Sequence, residues 1–267
     1  SYQWAIELDE KKAYTDDFVA KMPGLGELFF NEGARRYNAG IEAQNNLDSL
    51  GAKRSFGESV EAFEQAYTIY TTAGIIDTTT IYYVSIAAEL AGDYDKAKLK
   101  LVKLIEMQYP KSGIYSSLAT IYYEQDNDLN KAIETYALGR ERFPNDLNLL
   151  LMETNLFLGE SMTEEALENL QQAARIDTTN PTIFFAIGAK YNEVVDDTSR
   201  TEEMRKDAFE KAVIAYKKSI ELKPDYFDPN YNIGALYVNR ASSVISIANE
   251  LPLEEQERYD ALMEEAN

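Results

Sequence analysis

A small side chain returns along this sequence at a near-constant distance, and that constrains the fold more than any other feature. Gly33, Ser85, Ala119, Thr154, Gly188 and Gly234 hold equivalent places in six apolar helical patterns, at spacings of 52, 34, 35, 34 and 46 residues. A second series, Ser59, Ala97, Ala132, Ala166 and Ala212, follows at spacings of 38, 35, 34 and 46. A basal period of 34 residues carrying two helices marks a helical repeat array. One such hairpin cannot bury its apolar face alone, so neighbours must stack. An array offers long surfaces more readily than an enclosed cavity, which directs the reading toward binding and away from catalysis.

The third repeat shows the pattern residue by residue. Tyr115, Leu118, Ala119 and Tyr122 share one helical face at spacings of three and four. Ala119 is small because a second helix crosses there. A polar turn, Gln125-Asp126-Asn127-Asp128, follows. Ala132, Tyr136 and Gly139 then mark the second helix, and Pro144 closes the unit where a helix must stop.

An aromatic, Leu, a small residue and Tyr on a first helix, then Ala, an aromatic and a small residue on a second, then Pro: this pattern resembles the tetratricopeptide repeat family. Other segments carry it too. The second repeat has Gly92-Asp93-Tyr94 before Ala97, and the fourth runs from Ala173-Ala174 to Asn180-Pro181. The fifth ends Ala212, Tyr216, Ser219, then Leu222-Lys223-Pro224, and the sixth opens Tyr231-Asn232-Ile233-Gly234-Ala235. The resemblance covers nearly the whole chain. It implies an all-α fold, a right-handed α-solenoid of about six helix-turn-helix repeats. They would span 25–72, 78–110, 112–144, 146–180, 181–224 and 227–267, with 1–22 as the tail of a preceding repeat. Gly188 and Gly234 should both be buried where paired helices cross.

Three departures stand out. Gly33 and Ser59 lie 26 residues apart, against 12 for Ser85 and Ala97, so about 14 are inserted near Ile41 to Arg54. Gly188 and Ala212 lie 24 apart, so about 12 are inserted near Glu193 to Lys206. The sixth repeat has a first helix running on through Ser242 to Glu250. All three fall between paired helices. They form either longer helix pairs with a solvated turn or an edge platform that grips a partner. At the ends, Trp4, Ile6 and Leu8 are expected to dock on the first repeat. Tyr259, Leu262, Met263 and Ala266 form an amphipathic stripe expected to fold back on the sixth.

Composition narrows the function. Cysteine and histidine are both absent, which rules out thiol catalysis, zinc-thiolate sites and imidazole as base or ligand. The net charge of −20 repels phosphate backbones, so nucleic acid is not an expected partner. No apolar run approaches the roughly 18 to 20 residues of a membrane helix, so direct membrane insertion is not expected. No signal peptide is visible. Asp126-Asn127-Asp128 starts like a calcium loop, but Lys131 stands where Gly is required and Ala137 where a Glu is, so it reads as a helix cap. Asp196-Asp197 and Glu202-Glu203 read as a solvated edge, not an acid–base pair. No phosphate-binding Gly loop or nucleophile elbow appears. No cofactor and no metal are expected.

Members of the family line a concave groove with the first helix of each repeat. Carried over residue by residue, that groove would hold Phe30, Asn31, Tyr37, Tyr82, Tyr83, Tyr123, Asn155, Phe185, Asn192, Tyr231 and Asn232. Aromatics supply contact area at low entropy cost and amides pair with a peptide backbone, a set suited to a peptide or protein segment. About half of these aromatics would pack between repeats instead. The cationic clamp of chaperone-binding members is absent: its places hold Phe30, Ala34, Phe185, Ala189, Tyr231 and Ala235. The resemblance thus implies a non-enzymatic protein-binding scaffold. Two alternatives are a structural subunit of a larger cell-envelope or secretion assembly, and a carbohydrate-binding or carbohydrate-active helical protein. The Tyr- and Asn-rich spelling resembles bacterial members, which implies a periplasmic or envelope address, with cytoplasm left open.

Overall fold

A computed structural model describes residues 15–266, and these are α-helical hairpins joined by short turns. The helices are α1 Thr15–Asn45, α2 Ser49–Thr72, α3 Thr78–Ala91, α4 Tyr94–Glu106, α5 Gly113–Glu124 and α6 Leu129–Arg142. Then come α7 Leu147–Gly159, α8 Thr163–Ile176, α9 Pro181–Asp196, α10 Glu202–Leu222, α11 Phe227–Asn249 and α12 Gln256–Ala266. A short 3-10 turn, Leu253–Glu255, precedes α12. The expected docking of Trp4, Ile6 and Leu8 lies outside the described residues. No helix among the described residues is long and apolar enough to cross a membrane.

The chain divides into two compact units, one ending at Pro144 and the other beginning at Asn145. In each, helices pair as antiparallel hairpins and successive hairpins pack in chain order, α2 on α3 and α4 on α5, then α8 on α9 and α10 on α11. The boundary expected between 22 and 25 is not a break, because α1 runs unbroken through Pro23.

Local chemistry sets the helix starts. Asp48, Asp77, Asp93, Asp128 and Asp146 each accept a backbone N–H from the first turn of the helix they precede. Asn180 and Thr201 do the same for α9 and α10. Each such cap stabilises its helix by about 1 kcal/mol, so part of the acidic excess is structural. Asp128, the last residue of the calcium-like run, is one of these caps, and Asp126 is paired with Lys98 at 2.7 Å. Gly92 ends α3 with φ +79, a left-handed turn that glycine enters without penalty.

The insertions lengthen the helices. α1 reaches Asn45 and α2 starts at Ser49, leaving 46–48 to turn. α9 reaches Asp196 and α10 starts at Glu202. The longer helix pair, not a separate platform, is what forms.

The α1–α2 seam follows a second rule. Gly26, Gly33 and Gly40 recur every seven residues on α1, and Tyr70, Phe63 and Phe56 every seven on α2. A Cβ placed on Gly26 would lie 2.6 Å from the Tyr70 ring, on Gly33 2.6 Å from Phe63, and on Gly40 2.5 Å from Phe56. The rings occupy the space where the side chains of α1 would be. A seven-residue repeat keeps such a seam in register along two long helices. Ser59 tightens it by donating its hydroxyl to the Gly33 carbonyl at 2.8 Å.

The second unit uses the same device once. A Cβ on Gly188 of α9 would meet the Tyr216 ring of α10 at 2.6 Å. Gly234 of α11 departs from the expectation: it is exposed, and a Cβ there would meet nothing within 4 Å. On this stretch of α11 it is Leu236 and Ile233 that turn toward the core of the unit.

Candidate functional site

In the first unit the structure brings four of the expected groove residues together. Phe30 of α1 lies 5.6 Å from Tyr83 of α3, centroid to centroid, and Tyr83 lies 5.7 Å from Tyr82. Tyr82 in turn lies 5.3 Å from Tyr109, which follows α4. Tyr37, two turns beyond Phe30 on α1, reaches Tyr83 at 6.5 Å and Phe56 at 5.6 Å. Much of this row joins hairpins. Tyr83 stacks on the buried Phe63 at 5.4 Å and 22°, so it belongs to the packing between α2 and α3. Tyr82 stands at the outer end, half-buried, with the Lys111 ammonium 4.1 Å from its ring centre.

A carboxylate sits beside these rings. Glu89, two turns after Tyr82 on α3, is half-buried and accepts a hydrogen bond from Ser117 of α5. Burial raises its pKa above the usual glutamate range, the Ser117 bond opposes this, and nearby Glu124 adds to the rise. The Tyr37 hydroxyl is also pushed up, first by burial and then by Tyr82, Tyr83 and Glu89. The face therefore combines phenol hydroxyls, one carboxylate held against its preference, and a serine. It suits the N–H groups of an extended segment, which would add donors to the one Ser117 gives Glu89.

Glu89→Gln tests this electrostatics directly. A folded-state pKa above the unfolded value means the group's favourable contribution is complete below the ordinary glutamate range and is lost as pH rises through the shifted value. At neutral pH the ionised carboxylate therefore opposes folding. Glu89→Gln is expected to melt higher than the parent near pH 7, and the gap should shrink toward about pH 4. Parallel thermal melts at the two pH values check it, and equal gaps at both would remove Glu89 from this account.

The remaining expected groove residues behave differently. Asn31 is exposed on α1, beside Glu32, whose pKa Arg35 and Arg36 hold down to about 2. Tyr123 is half-buried on α5. In the second unit Phe185 lies 6.0 Å from Tyr216 and 5.4 Å from Tyr226, and Asn232 donates to the Tyr216 hydroxyl at 3.5 Å. Both serve the joint among α9, α10 and α11. Asn192 is bonded to Asp196 at 3.0 Å, Asn155 is exposed, and Tyr231 is exposed and stacked on Phe227.

Glu89, Tyr109 and Lys111 were not among the groove candidates. Glu89 had a visible signal: it is the single ionisable carboxylate or cation in α3. Tyr109 and Lys111 lie outside any helix, where no helical period could place them. The carboxylates of the α9–α10 turn form no pair for acid–base work. Asp197 accepts from Ser199 and Arg200, and Asp196 from Asn192. No cluster of residues able to hold a metal occurs among the described residues.

The sequence profile of the TPR repeat matches residues 202–239, which are α10 and the first half of α11. Among solved structures, YrrB, described as a TPR protein with an unusual peptide-binding site, is 17% identical over 74% of this chain and 89% of its own, with a TM-score of 0.45. A MamA protein from Desulfovibrio magneticus RS-1 is 15% identical over 73% of this chain and 97% of its own, with a TM-score of 0.47. The C-terminal part of a TPR repeat-containing protein from Cytophaga hutchinsonii is 17% identical over 86% of this chain and 78% of its own, with a TM-score of 0.48. No curated protein sequence matches.

Proposed function

We propose that this chain, a tetratricopeptide-repeat protein, is a non-enzymatic scaffold that holds an extended protein segment on the aromatic face of its first unit. The observation that carries this reading is the contact of Tyr82 with Tyr109, with Tyr37 close enough to Glu89, a half-buried carboxylate bonded to Ser117, to be affected by its charge. Backbone N–H groups of a bound segment would satisfy it, and the outer tyrosine edges would cover the segment's side chains. Phe30 and Tyr83 support the face from behind as packing groups. The acidic chain, at −20, favours a segment that is neutral or basic.

Panning a displayed library of random peptides on the full chain tests the proposal. Enriched peptides should lose on the order of 1 to 2 kcal/mol of affinity when Tyr82 becomes alanine. Peptides indifferent to both Tyr82→Ala and Glu89→Gln would overturn it. One observation favours a sugar as a second reading: aromatic rings lie side by side, with a carboxylate near Tyr37. Oligosaccharide binding that Tyr82→Ala abolishes, with no peptide enriched, would put the sugar first.

A further inference from the structure

Within the second unit, the lengthened α9–α10 hairpin and α11 leave a cavity of about 220 Å³ between them. Phe209 of α10, Val244 and Ile247 of α11, and Val195 at the end of α9 give it an apolar lining. Phe209 belongs to the core cluster of the unit, and Val195 packs against that cluster. Three cations, Arg205, Lys206 and Arg240, share the same cavity.

Two of these cations are held in place. Arg205, half-buried, donates its Nε–H to the Val195 carbonyl at 2.7 Å, which ties the guanidinium to the end of α9. Among the described residues it makes no ion pair, and its Nη groups have no hydrogen-bond partner. Arg200, five residues earlier, shows the contrast: its guanidinium is taken up by Asp197 and Glu164. The Arg240 guanidinium carbon lies 4.5 Å from the centre of the Phe209 ring, and Tyr237 meets the same ring edge-on at 5.3 Å. A cation–π contact of this kind fixes a guanidinium against the ring. The cavity therefore offers a positioned fork of donors beside an apolar surface before any ligand arrives.

Charge and shape select the ligand. Asp196 and Glu202 also line the cavity, so three positive and two negative side chains leave it with a formal charge of +1. That suits a monoanion, whereas a dianion would be repelled by the two carboxylates. A planar guanidinium with its outer edge open matches a planar carboxylate through two parallel N–H···O bonds. The volume lies below the roughly 300 to 1,000 Å³ of drug-sized pockets, which sets a small occupant. We propose that this cavity binds a small monocarboxylate with an apolar body, its carboxylate on Arg205 and Lys206 and its body against Phe209, Val244 and Ile247. The site is separate from the aromatic face of the first unit and does not depend on that face binding a segment.

Phenylpropanoate, a benzene ring carrying a carboxylate on a short alkyl arm, is a probe with this chemistry. It is titrated into the isotope-labelled full chain while backbone amide shifts are read by NMR. Saturable shifts are expected at residues 195–209 and 239–247. Phenylpropanamide, of the same shape but uncharged, should bind about tenfold more weakly or worse. Arg205→Lys keeps the charge but loses the fork, and should weaken the carboxylate about tenfold. Lys206 and Ser243 line the cavity at exposed positions, so the fold survives their substitution. Lys206→Glu should weaken binding severalfold, and Ser243→Trp should block the cavity. Tyr82→Ala, in the other unit, should leave binding unchanged. No saturation, equal affinity for the amide, or binding indifferent to both Lys206→Glu and Ser243→Trp overturns the proposal. Inorganic phosphate that binds at the same amides as tightly as the probe also overturns it, because the apolar lining would then select nothing.

Discussion

Phe63→Ala is expected to lower the stability of the first unit by about 3 to 5 kcal/mol, the range for emptying an aromatic site in a packed core. The side chain is fully buried. It lies against Gly33 in the α1–α2 seam, 5.2 Å from Phe30 and 5.4 Å from Tyr83. One ring therefore closes a hairpin and joins it to the next. Gly33 has no side chain to move into the void, so the cavity stays open. Urea denaturation followed by circular dichroism measures the effect. Phe63→Leu, which refills part of the volume, should recover a substantial part of it. A loss under about 1 kcal/mol for the alanine variant would mean the seam is not packed as described.

Alanine at Gly188 and at Gly234 should act in opposite directions. At Gly188 the new methyl would stand 2.6 Å from the Tyr216 ring, and that ring is held by Phe185 and by the Asn232 amide. α9 and α10 must move apart, at a cost of about 1 to 3 kcal/mol, which exceeds the gain of up to about 1 kcal/mol from alanine's helix propensity. At Gly234 nothing opposes the methyl, so the propensity gain of about 0.5 to 1 kcal/mol remains. Denaturant midpoints of the two variants should move to opposite sides of the parent. Movement of both in one direction would contradict the open position at Gly234.

The contrast between these two glycines shows how far the residues could be read in isolation. Their neighbours along the chain are alike, so the period placed both on a helix and assigned both a partner. What separates them is which helix face a neighbour covers: the Tyr216 ring lies over Gly188, and nothing lies within 4 Å of a Cβ on Gly234. The groove candidates divided for a related reason. Spacing put Phe30, Tyr37, Tyr82 and Tyr83 on the first helices of their hairpins, where they are. It could not say that Phe63, from a different helix, would claim the face of Tyr83 and leave Tyr82 outward. Glu89 gained its raised pKa from burial and from α5, neither of which is a local property of α3.

Helix identity, hairpin pairing and the exclusion of thiol and imidazole chemistry follow from residue types and their periods, because those depend on contacts three or four positions away and on which side chains exist at all. The glycine–aromatic seam was also written in the residues, as Gly26, Gly33 and Gly40 against Phe56, Phe63 and Tyr70, but in a seven-residue step that the 34-residue period obscures. Which apolar faces are covered, which tyrosine is left outward and which carboxylate is desolvated were decided by tertiary packing alone. Those properties depend on where separate helices cross, and a helix's own sequence carries no record of which side chains its neighbour will bring against it.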